Sequence, residues 1–499
     1  MGLFKNKSSK SVNSDIAAKS NRTSNSSLKS PGLNKAANGS SFTSLPSLPD
    51  TTLPAPPDPA LDPAAYLRSI NSVRDRTKLV YQRAKRNQLA HFDVDSSKFR
   101  DTADYVVSII KRDYAPDYTQ IPAHGRWQHF EAGGRPRIDQ LVLTWPSTVD
   151  KQERTRRLLD LFLVSVLLDA GAGQRWSYKS KESGKVYRRS EGLAVASIEM
   201  FKQGFFSSDA SNPSQVDAVG LKRLDPEQLA RGLQISESNP MAGFEGRAGL
   251  LSRLGDALRN PKYFGNAGRP GHMLDYLISH PSTVASAVPI VTVPTLWSVL
   301  VDGLGKVWPS TRTAMDGVSL GDAWPCSSMP PSPPSMPWEN IVPFHKLTQW
   351  LCYSLMTPMT KGMNVQFAGT ELLTGLPEYR NGGLLVDTGL LTLKDDDMKR
   401  GIKAYKDNAT VRGQPNMEVV PLFATDDDVI VEWRAVTVGF LDDLLVEVNG
   451  ILGLSGGDKL SLAQMLEAGS WKGGRELAEV SRPNTKEPPI MIVSDGTVF

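Results

Sequence analysis

Cysteine is scarce in this chain, because Cys326 and Cys352 are the only two among 499 residues. Two cysteines cannot build a disulfide framework or a four-thiolate zinc site, and no Cys-x-x-Cys spacing occurs. The six histidines are dispersed, without a His-x-x-x-His or His-Glu-x-x-His arrangement. We therefore expect free thiols in a reducing, cytoplasmic setting, and we expect no metal ion or other cofactor.

Long apolar runs and the common nucleotide-binding motifs are also missing. The apolar runs, such as residues 158–168, are far shorter than the roughly 20 residues that span a bilayer, so we expect no membrane partner. Neither Gly-x-x-x-x-Gly-Lys-Ser/Thr nor Gly-x-Gly-x-x-Gly occurs, which argues against the usual phosphate-cradling enzymes.

A strong charge of either sign is absent, since the formal net charge is +4 and the pI is about 8.8. Much of the positive excess lies in residues 1–60, which are rich in Ser, Asn, Lys and Pro. Such a segment cannot bury enough apolar surface to offset the entropy of ordering, so we predict a disordered tail. The near-neutral remainder gives no electrostatic reason to expect a nucleic-acid partner.

What is present is the composition of a soluble globular protein, 40% hydrophobic and 22% charged. Apolar residues recur near a 3.6-residue period at 62–80 and 101–111, and we also predict helices within 221–259 and at 272–279 and 295–304. The segment 158–170 is apolar on nearly every face and should lie deep in the fold. Residues 61–499 are thus predicted to form one mainly helical, two-lobed region with a few short strands. Surface insertions are predicted near 325–340 and 394–421.

The most informative stretch is residues 371–393, ELLTGLPEYRNGGLLVDTGLLTL. It sets Glu378, Arg380 and Asp387 among closely spaced glycines, and we predict a shaped loop that leads into a short apolar segment. A loop on a rigid scaffold can aim a carboxylate at a substrate, and glycines let the backbone approach a ligand. The alternative is that Glu378 and Arg380 form an ordinary ion pair that braces a turn.

Two further segments mix polar and aromatic residues. IPAHGRWQHFEAGG, residues 121–134, is either a surface loop with one buried Trp or a polar pocket wall, in which Trp127 is a platform for a planar ligand. Asp169 lies at the buried end of the 158–170 helix, where an acid must be paired or functional. Glu191 either lies in the first turn of a helix with Ser190 as N-cap, or lines the pocket.

Three later segments complete the set. VPFHKLTQWLCYSLM, residues 342–356, predicts an amphipathic helix with His345, Gln349 and Cys352 or Tyr353 on one face. VEWRA, residues 431–435, is either a strand, in which Glu and Arg share a face, or a helix, in which they point roughly 200° apart. The final PPIMIVSDGTVF is expected to dock on the fold.

Long strings of this sequence resemble the fourth protein of the fungal uracil-catabolism pathway, a family also found in bacteria. The resemblance runs from about residue 63 to 499. It implies a pathway in which uracil enters as a ribonucleotide, the ring is opened, and a ribosylurea-type intermediate is broken to ribose and urea. The strings that carry it are RWQHFEAGG, VSVLLDAGAG, SEGLAVAS, FKQGFFSSD, NPMAGFEGRAGLL, VPFHKLTQWLCYSL, LTGLPEYRNGG, VEWRA and VSDGTVF.

The sequence also resembles the queuosine-nucleotide N-glycosylase family of queuosine salvage, which has an all-helical DNA-glycosylase-like fold of the helix-hairpin-helix type. That family carries an acidic-Tyr-Arg turn, on which Glu378, Tyr379 and Arg380 fall. VEWRA is similar to its later Glu-x-Arg-Ala helix, and PMAGFEGRAGLLSRLG to its Pro-Leu-x-Glu-x-Arg helix, with Glu245 and Arg247. The acid there is usually Asp, and Asn-Gly-Gly here replaces Val-Pro-Gln, so the ligand should differ from queuine.

The resemblances imply an N-ribohydrolase that acts on a small ribosyl or ribosyl-phosphate substrate. N-ribosidic cleavage passes through an oxocarbenium-like state, which a fixed carboxylate, here Glu378, can stabilise. The leaving nitrogen needs a proton or hydrogen bonds, for which Asp169 or His129 is a candidate, and Arg126, His345, Lys346 and Arg380 are candidates to bind a phosphate. The predicted substrate-binding residues are Arg126, Trp127, His129, Glu191, His345, Lys346, Tyr353, Tyr379, Arg380, Asp387, Glu432 and Arg434.

Two alternatives remain. One is an amidohydrolase that acts on the opened pyrimidine ring, and the other is a non-catalytic ligand-binding sensor or scaffold of the pathway. Other enzymes of the pathway are candidate partners in each case.

Overall fold

A computed structural model describes residues 51–173, 175–283, 288–334, 336–412, 417–493 and 496. Most of the predicted N-terminal tail therefore lies outside the described residues. The described chain is mainly helical, as predicted, and the DNA-glycosylase-like arrangement stays a prediction. The helices are α1 (Pro63–Leu67), α2 (Ile70–Ala84), α3 (Lys98–Tyr114), α4 (Arg126–Phe130), α5 (Arg137–Leu143), α6 (Lys151–Leu167), α7 (Arg189–Lys202), α8 (Ala218–Arg223), α9 (Pro226–Gly232), α10 (Phe244–Ala257), α11 (Pro261–Phe264), α12 (Met273–Ser279), α13 (Val293–Gly303), α14 (Lys346–Met363), α15 (Tyr379–Asp387), α16 (Asp395–Arg412), α17 (Asp428–Leu452), α18 (Leu462–Met465) and α19 (Trp471–Ser481).

The strands are short and pair in twos, so they join helices rather than form a sheet core. The pairs β2–β3 and β5–β6 are local hairpins, whereas β1–β10 and β7–β8 are antiparallel and β4–β9 and β11–β12 are parallel. The strands are β1 (Phe92–Val94), β2 (Tyr178–Lys179), β3 (Val186–Tyr187), β4 (Ile290–Thr292), β5 (Ala314–Met315), β6 (Val318–Ser319), β7 (Ala323–Pro325), β8 (Ile341–Pro343), β9 (Gln366–Ala368), β10 (Leu391–Leu393), β11 (Leu422–Phe423) and β12 (Met491–Ile492).

Helix α6 lies at the centre of the larger core and packs against α14 and α7. Its apolar residues are buried on every side, as predicted, because no face of the segment is polar. The helix begins at Lys151, earlier than predicted, since Asp150 caps it by accepting a hydrogen bond from the backbone N–H of Glu153 at 2.7 Å. It ends at Leu167, and the chain then carries Asp169 out of the helix.

The central stretch is a loop up to Glu378 and a helix from Tyr379, so the predicted loop is confirmed around Gly375 and wrong at Gly382 and Gly383. Gly382 and Gly383 lie inside α15, where a Cβ on Gly382 would be 2.7 Å from the ring of Trp433. Gly382 thus allows close packing against α17, and Gly383 allows the close approach of Pro489, whose Cδ would be 3.0 Å from an added Cβ. Gly389, with φ +79°, occupies the left-handed position that commonly ends a helix.

Residues 394–421, predicted to be irregular, contain the 18-residue helix α16. Three aspartates in its first turn suit the positive end of the helix dipole, and ion pairs one turn apart, such as Lys403–Asp407 at 2.7 Å, line its exposed face. On its other side, Tyr405 is 1% exposed and packs against Val420 and Leu422, which anchors the helix to the segment that follows it.

The C-terminal segment docks as predicted over its described part. Strand β12 pairs in parallel with β11, and the backbone N–H groups of Met491 and Val493 donate to carbonyls of Pro421 and Phe423 at 2.8 Å each. Within the ranges given above, no helix combines the length and apolar character that a membrane span requires.

Candidate functional site

Three helix ends converge on one set of charged side chains. Asp169 follows the C-terminal end of α6, Lys346 is the first residue of α14, and Glu378 is the N-cap of α15. Burial lowers the pKa of the Lys346 ammonium, while the charges of Asp169 and Glu378 raise it. We refer to these three residues as the carboxylate–lysine cluster.

Lys346 is the member of this cluster whose charged group has no direct partner among the described residues. Its side chain is only partly buried, and its ammonium makes no hydrogen bond or ion pair with any residue that the structure describes. An amine on which the charges of two carboxylates act, without direct contact to either, is available to a ligand.

Glu378 is fixed by the backbone of the helix that it caps. Its two carboxylate oxygens accept hydrogen bonds from the N–H groups of Arg380 at 2.8 Å and Asn381 at 2.6 Å. Burial raises the pKa of Glu378, whereas these two donors and Lys346 lower it. The alternative ion pair with Arg380 is not formed, because that guanidinium donates instead to the carbonyl of Lys486 at 3.3 Å.

Asp169 forms an ion pair with Arg126, with Oδ2 and Nη1 2.7 Å apart. The pair is buried, and its other two ends, Asp169 Oδ1 and Arg126 Nη2, have no hydrogen-bond partner among the described residues. Arg247 fixes the segment that carries the acid, since it donates to the carbonyls of Leu168 at 3.1 Å and Gly171 at 2.8 Å. Arg247 therefore acts on the backbone of this segment, while Glu245 is exposed.

His129 and Glu191 form the adjoining wall. His129 Nδ1 lies 3.2 Å from Arg126 Nη1, and its ring lies 5.6 Å from that of Trp471 between centroids. Burial lowers the pKa of His129, although the charge of Asp169 raises it. Glu191 lies in the first turn of α7, as predicted, and forms an ion pair with Arg475. The N-cap of α7 is residue 188 and not Ser190, because the helix begins one residue before that serine.

Tyr379 links the cluster to a second group of charges. Burial raises the pKa of its phenol to about 12, and the charges of Arg380, Glu378, Asp169 and Arg189 act on it. The guanidinium of Arg380 lies 5.3 Å from the centroid of the Tyr379 ring. The charges of two carboxylates and two guanidinium groups therefore act on this phenol.

A buried ion pair between Arg434 and Asp322 supports the cluster from behind. Both pairs of atoms are 2.8 Å apart, and the side chains are 1% and 0% exposed. Although burial raises the pKa of Asp322, Arg434 holds it well below its ordinary value. Asp322 Oδ2 accepts from the N–H of Lys346 at 2.9 Å, and Arg434 donates to the carbonyl of Pro377 at 3.2 Å. One ion pair therefore fixes the starts of both α14 and α15.

The structure brings together eight of the predicted site residues, namely those of the carboxylate–lysine cluster with Arg126, His129, Glu191, Tyr379 and Arg380. The remaining predicted residues form their polar contacts with other parts of the chain. VEWRA is helical, so Glu432 and Arg434 point apart, and Glu432 accepts from the backbone of residues 90–92. The other engaged residues are Trp127, which donates to Glu131 at 2.8 Å, Tyr353, which donates to the carbonyl of Thr374 at 3.0 Å, His345, whose Nε2 lies 2.8 Å from the carbonyl of Leu67, and Asp387, which is paired with Arg482 at 2.6 Å.

Asp322, Arg189 and Arg475 belong to the site or its support and were missed in the sequence. Each is a single charged residue in an unremarkable local pattern, and its role depends on partners more than 100 residues away. A weak signal existed only for Arg189, which neighbours the SEGLAVAS string. In the described part of the chain, no group of three or more His, Cys, Asp and Glu side chains is arranged as a metal site.

The sequence of this chain is similar to proteins of one family along most of its length. The profile of the family described as "Protein of unknown function (DUF1688)" matches residues 66–499. "Uracil catabolism protein 4" of Lachancea kluyveri is 45% identical over 445 residues, which cover 88% of this chain and 99% of that protein. "Protein urg3" of Schizosaccharomyces pombe is 44% identical over 436 residues, covering 87% and 98%. The chain therefore belongs to the DUF1688 family.

Proposed function

We propose that this protein acts in uracil catabolism as an N-ribohydrolase, which splits a ribosylurea-type compound or its 5′-phosphate into ribose or ribose phosphate and urea. The name of the Lachancea relative supports the pathway. The observation that supports the reaction type is the carboxylate–lysine cluster, in which the charges of two carboxylates act on an amine. Among the described residues, that amine and one oxygen of Asp169 have no direct partner.

The chemistry assigns one role to each member of the cluster. The bond between C1 of ribose and the urea nitrogen breaks, its electron pair goes to the nitrogen, and Glu378 stabilises the positive charge that develops on the sugar. Asp169 Oδ1 takes a proton from the attacking water, whose oxygen bonds to C1. Lys346 protonates the departing nitrogen, a role that suits an amine whose pKa burial lowers.

His129 is less suited to donate that proton. Burial lowers its pKa, and its Nδ1 faces the Nη1 of Arg126, a donor, so the ring is expected to be neutral there. It would then position Arg126 and Asp169.

The test is incubation of purified protein with ribosylurea, ribosylurea 5′-phosphate, uridine and UMP, with assays for free sugar and urea. Glu378→Gln is the loss-of-function variant. Glu371→Gln is the matched control, since Glu371 is an exposed acid in the same stretch. Release of sugar and urea by the wild type and Glu371→Gln, but not by Glu378→Gln, supports the proposal.

Two outcomes would overturn it. Ammonia or carbamate without free sugar would favour an amidohydrolase. Saturable binding of one of these compounds without turnover would favour a sensor.

A further inference from the structure

Two guanidinium groups meet at one carbonyl oxygen beside the carboxylate–lysine cluster. Arg189 Nη2 donates to the carbonyl of Lys486 at 3.0 Å, and Arg380 Nη1 donates to the same oxygen at 3.3 Å. Neither arginine forms an ion pair with a residue that the structure describes. Glu487 is an acid whose charge acts on Arg380, yet it does not pair with it. Two cations therefore share a neutral acceptor without a direct counter-charge.

The backbone is strained where this contact is made. Arg189 has φ +54° and Lys486 has φ +56°, in the left-handed region that residues with a Cβ disfavour. The residue before Lys346, His345, has φ +46°. Strained residues persist where the surrounding structure imposes them, and they concentrate at ligand sites. Here the two left-handed backbone conformations occur at the donor Arg189 and at the acceptor Lys486 of the same hydrogen bond.

Glu378 caps α15 and Arg380 is its second residue, so the carboxylate and the two arginines lie at the same helix start, next to Tyr379. The phenol is acted on by Arg189 and Arg380 and also by Glu378 and Asp169. A ligand bound at this helix start would contact the arginines with an anionic group and Glu378 with its reacting end.

The donor set matches a tetrahedral oxyanion. Guanidinium groups bind phosphate through paired N–H donors, and two of them balance a dianion. Arg189 is also the first residue of the 14-residue helix α7, whose N-terminus adds a partial positive charge. Arg380 is 5% exposed, so water compensates its charge poorly, and a bound anion would compensate it better.

We propose that Arg189 and Arg380 bind the phosphate of a phosphorylated sugar, so that the substrate enters as a phosphate monoester. This inference rests on the proposed N-ribohydrolase function for the identity of the sugar. It predicts that phosphorylation of the ribosyl compound must precede its hydrolysis, by a kinase or by entry as a nucleotide.

The test is calorimetric titration of the full chain with ribose 5-phosphate, ribose and inorganic phosphate. The variants are Arg189→Gln and Arg380→Gln, and the matched control is Lys185→Gln, which removes an exposed charge before the same helix. Ribose 5-phosphate should bind at least about tenfold more tightly than ribose, and Arg189→Gln should remove that advantage while Lys185→Gln keeps it. Added salt should weaken the wild-type binding.

Equal affinity for ribose and ribose 5-phosphate would overturn the proposal, as would unchanged affinity in Arg189→Gln. Arg189 is partly exposed, so its variant keeps the proposal testable if the buried Arg380→Gln does not fold. Circular dichroism of each variant checks the fold.

The two proposals fail in different ways. If ribosylurea and its 5′-phosphate are hydrolysed equally well, and Arg189→Gln has no effect, the phosphate-site proposal is contradicted and the hydrolase proposal is supported. If ribose 5-phosphate binds through the arginines but no N-ribosyl compound is cleaved, the hydrolase proposal is contradicted and the phosphate-site proposal is supported.

Discussion

Two clusters of titratable groups in this protein differ in how completely they are paired. In the first, which we call the histidine cluster, His91 lies 2.8 Å from both Asp397 and Asp428, and Glu432 accepts from the backbone at residues 90–92. In the carboxylate–lysine cluster, Lys346 has no direct partner among the described residues, and Asp169 keeps one free oxygen.

The pKa directions follow from that difference. Burial lowers the pKa of both cations, but hydrogen bonds to Asp428 and Asp397 reverse the effect at His91 and raise its pKa to about 9. Lys346 forms no such bond with a described residue, and its pKa stays lowered. A fully paired cluster stabilises the fold, whereas an incompletely paired one is free to act on a ligand.

The sharpest test of this comparison is to remove one carboxylate charge from each cluster. Glu378→Gln should lower kcat by about 10³–10⁴-fold, because Gln cannot stabilise the developing charge, with only about 1 kcal/mol of stability lost at the N-cap. Glu432→Gln should keep kcat and lose about 2–3 kcal/mol, because buried charge-assisted hydrogen bonds are weakened. The measurements are single-turnover rates and urea unfolding. A loss of kcat in Glu432→Gln but not in Glu378→Gln would contradict the distinction between the two clusters.

The next test concerns the Arg434–Asp322 ion pair, which supports the carboxylate–lysine cluster. Arg434→Met should destabilise the protein by about 3–5 kcal/mol, because it leaves the Asp322 carboxylate buried and unpaired. Adding Asp322→Leu should recover part of that stability. Activity should not return, because the N–H of Lys346 and the carbonyl of Pro377 would still lack their partners. Recovery of both stability and activity in the double variant would show that the Arg434–Asp322 ion pair only stabilises the fold.

The histidine cluster predicts a pH dependence of stability. The pKa of His91 is about 9 in the fold against 6.5 ordinarily, so the charged form stabilises the fold fully below pH 6.5. That contribution, up to about 3 kcal/mol, should be lost as the pH rises through 9. In His91→Gln the unfolding free energy should change less between pH 6 and pH 9.5 than in the wild type. Equal changes in both proteins would remove the role assigned to His91.

The sequence was sufficient where a pattern extended over many residues. Helix α6 was predicted because its apolar residues surround the axis. The pairing of Asp169 was one of two expected outcomes, because an acid at the buried end of a helix must be paired or functional. It was insufficient where a role depends on one distant partner, as for Asp322 and Arg189. The start of α15 is a third case, in which the sequence prediction of local structure was wrong. Glycine lowers the local helix propensity there, but packing against another helix outweighs that preference.

That third case gives the last and smallest prediction. In an exposed helix, Gly→Ala stabilises by about 0.5–1 kcal/mol, and Gly450→Ala in α17 should do so, because nothing lies within 4 Å of its added Cβ. Gly382→Ala should instead cost about 1–3 kcal/mol, because its Cβ would be 2.7 Å from the Trp433 ring. Urea unfolding of both variants separates propensity from packing. If Gly382→Ala were stabilising, α15 would not be held against α17 as described, and Glu378 would lose the rigid mount that its proposed role requires.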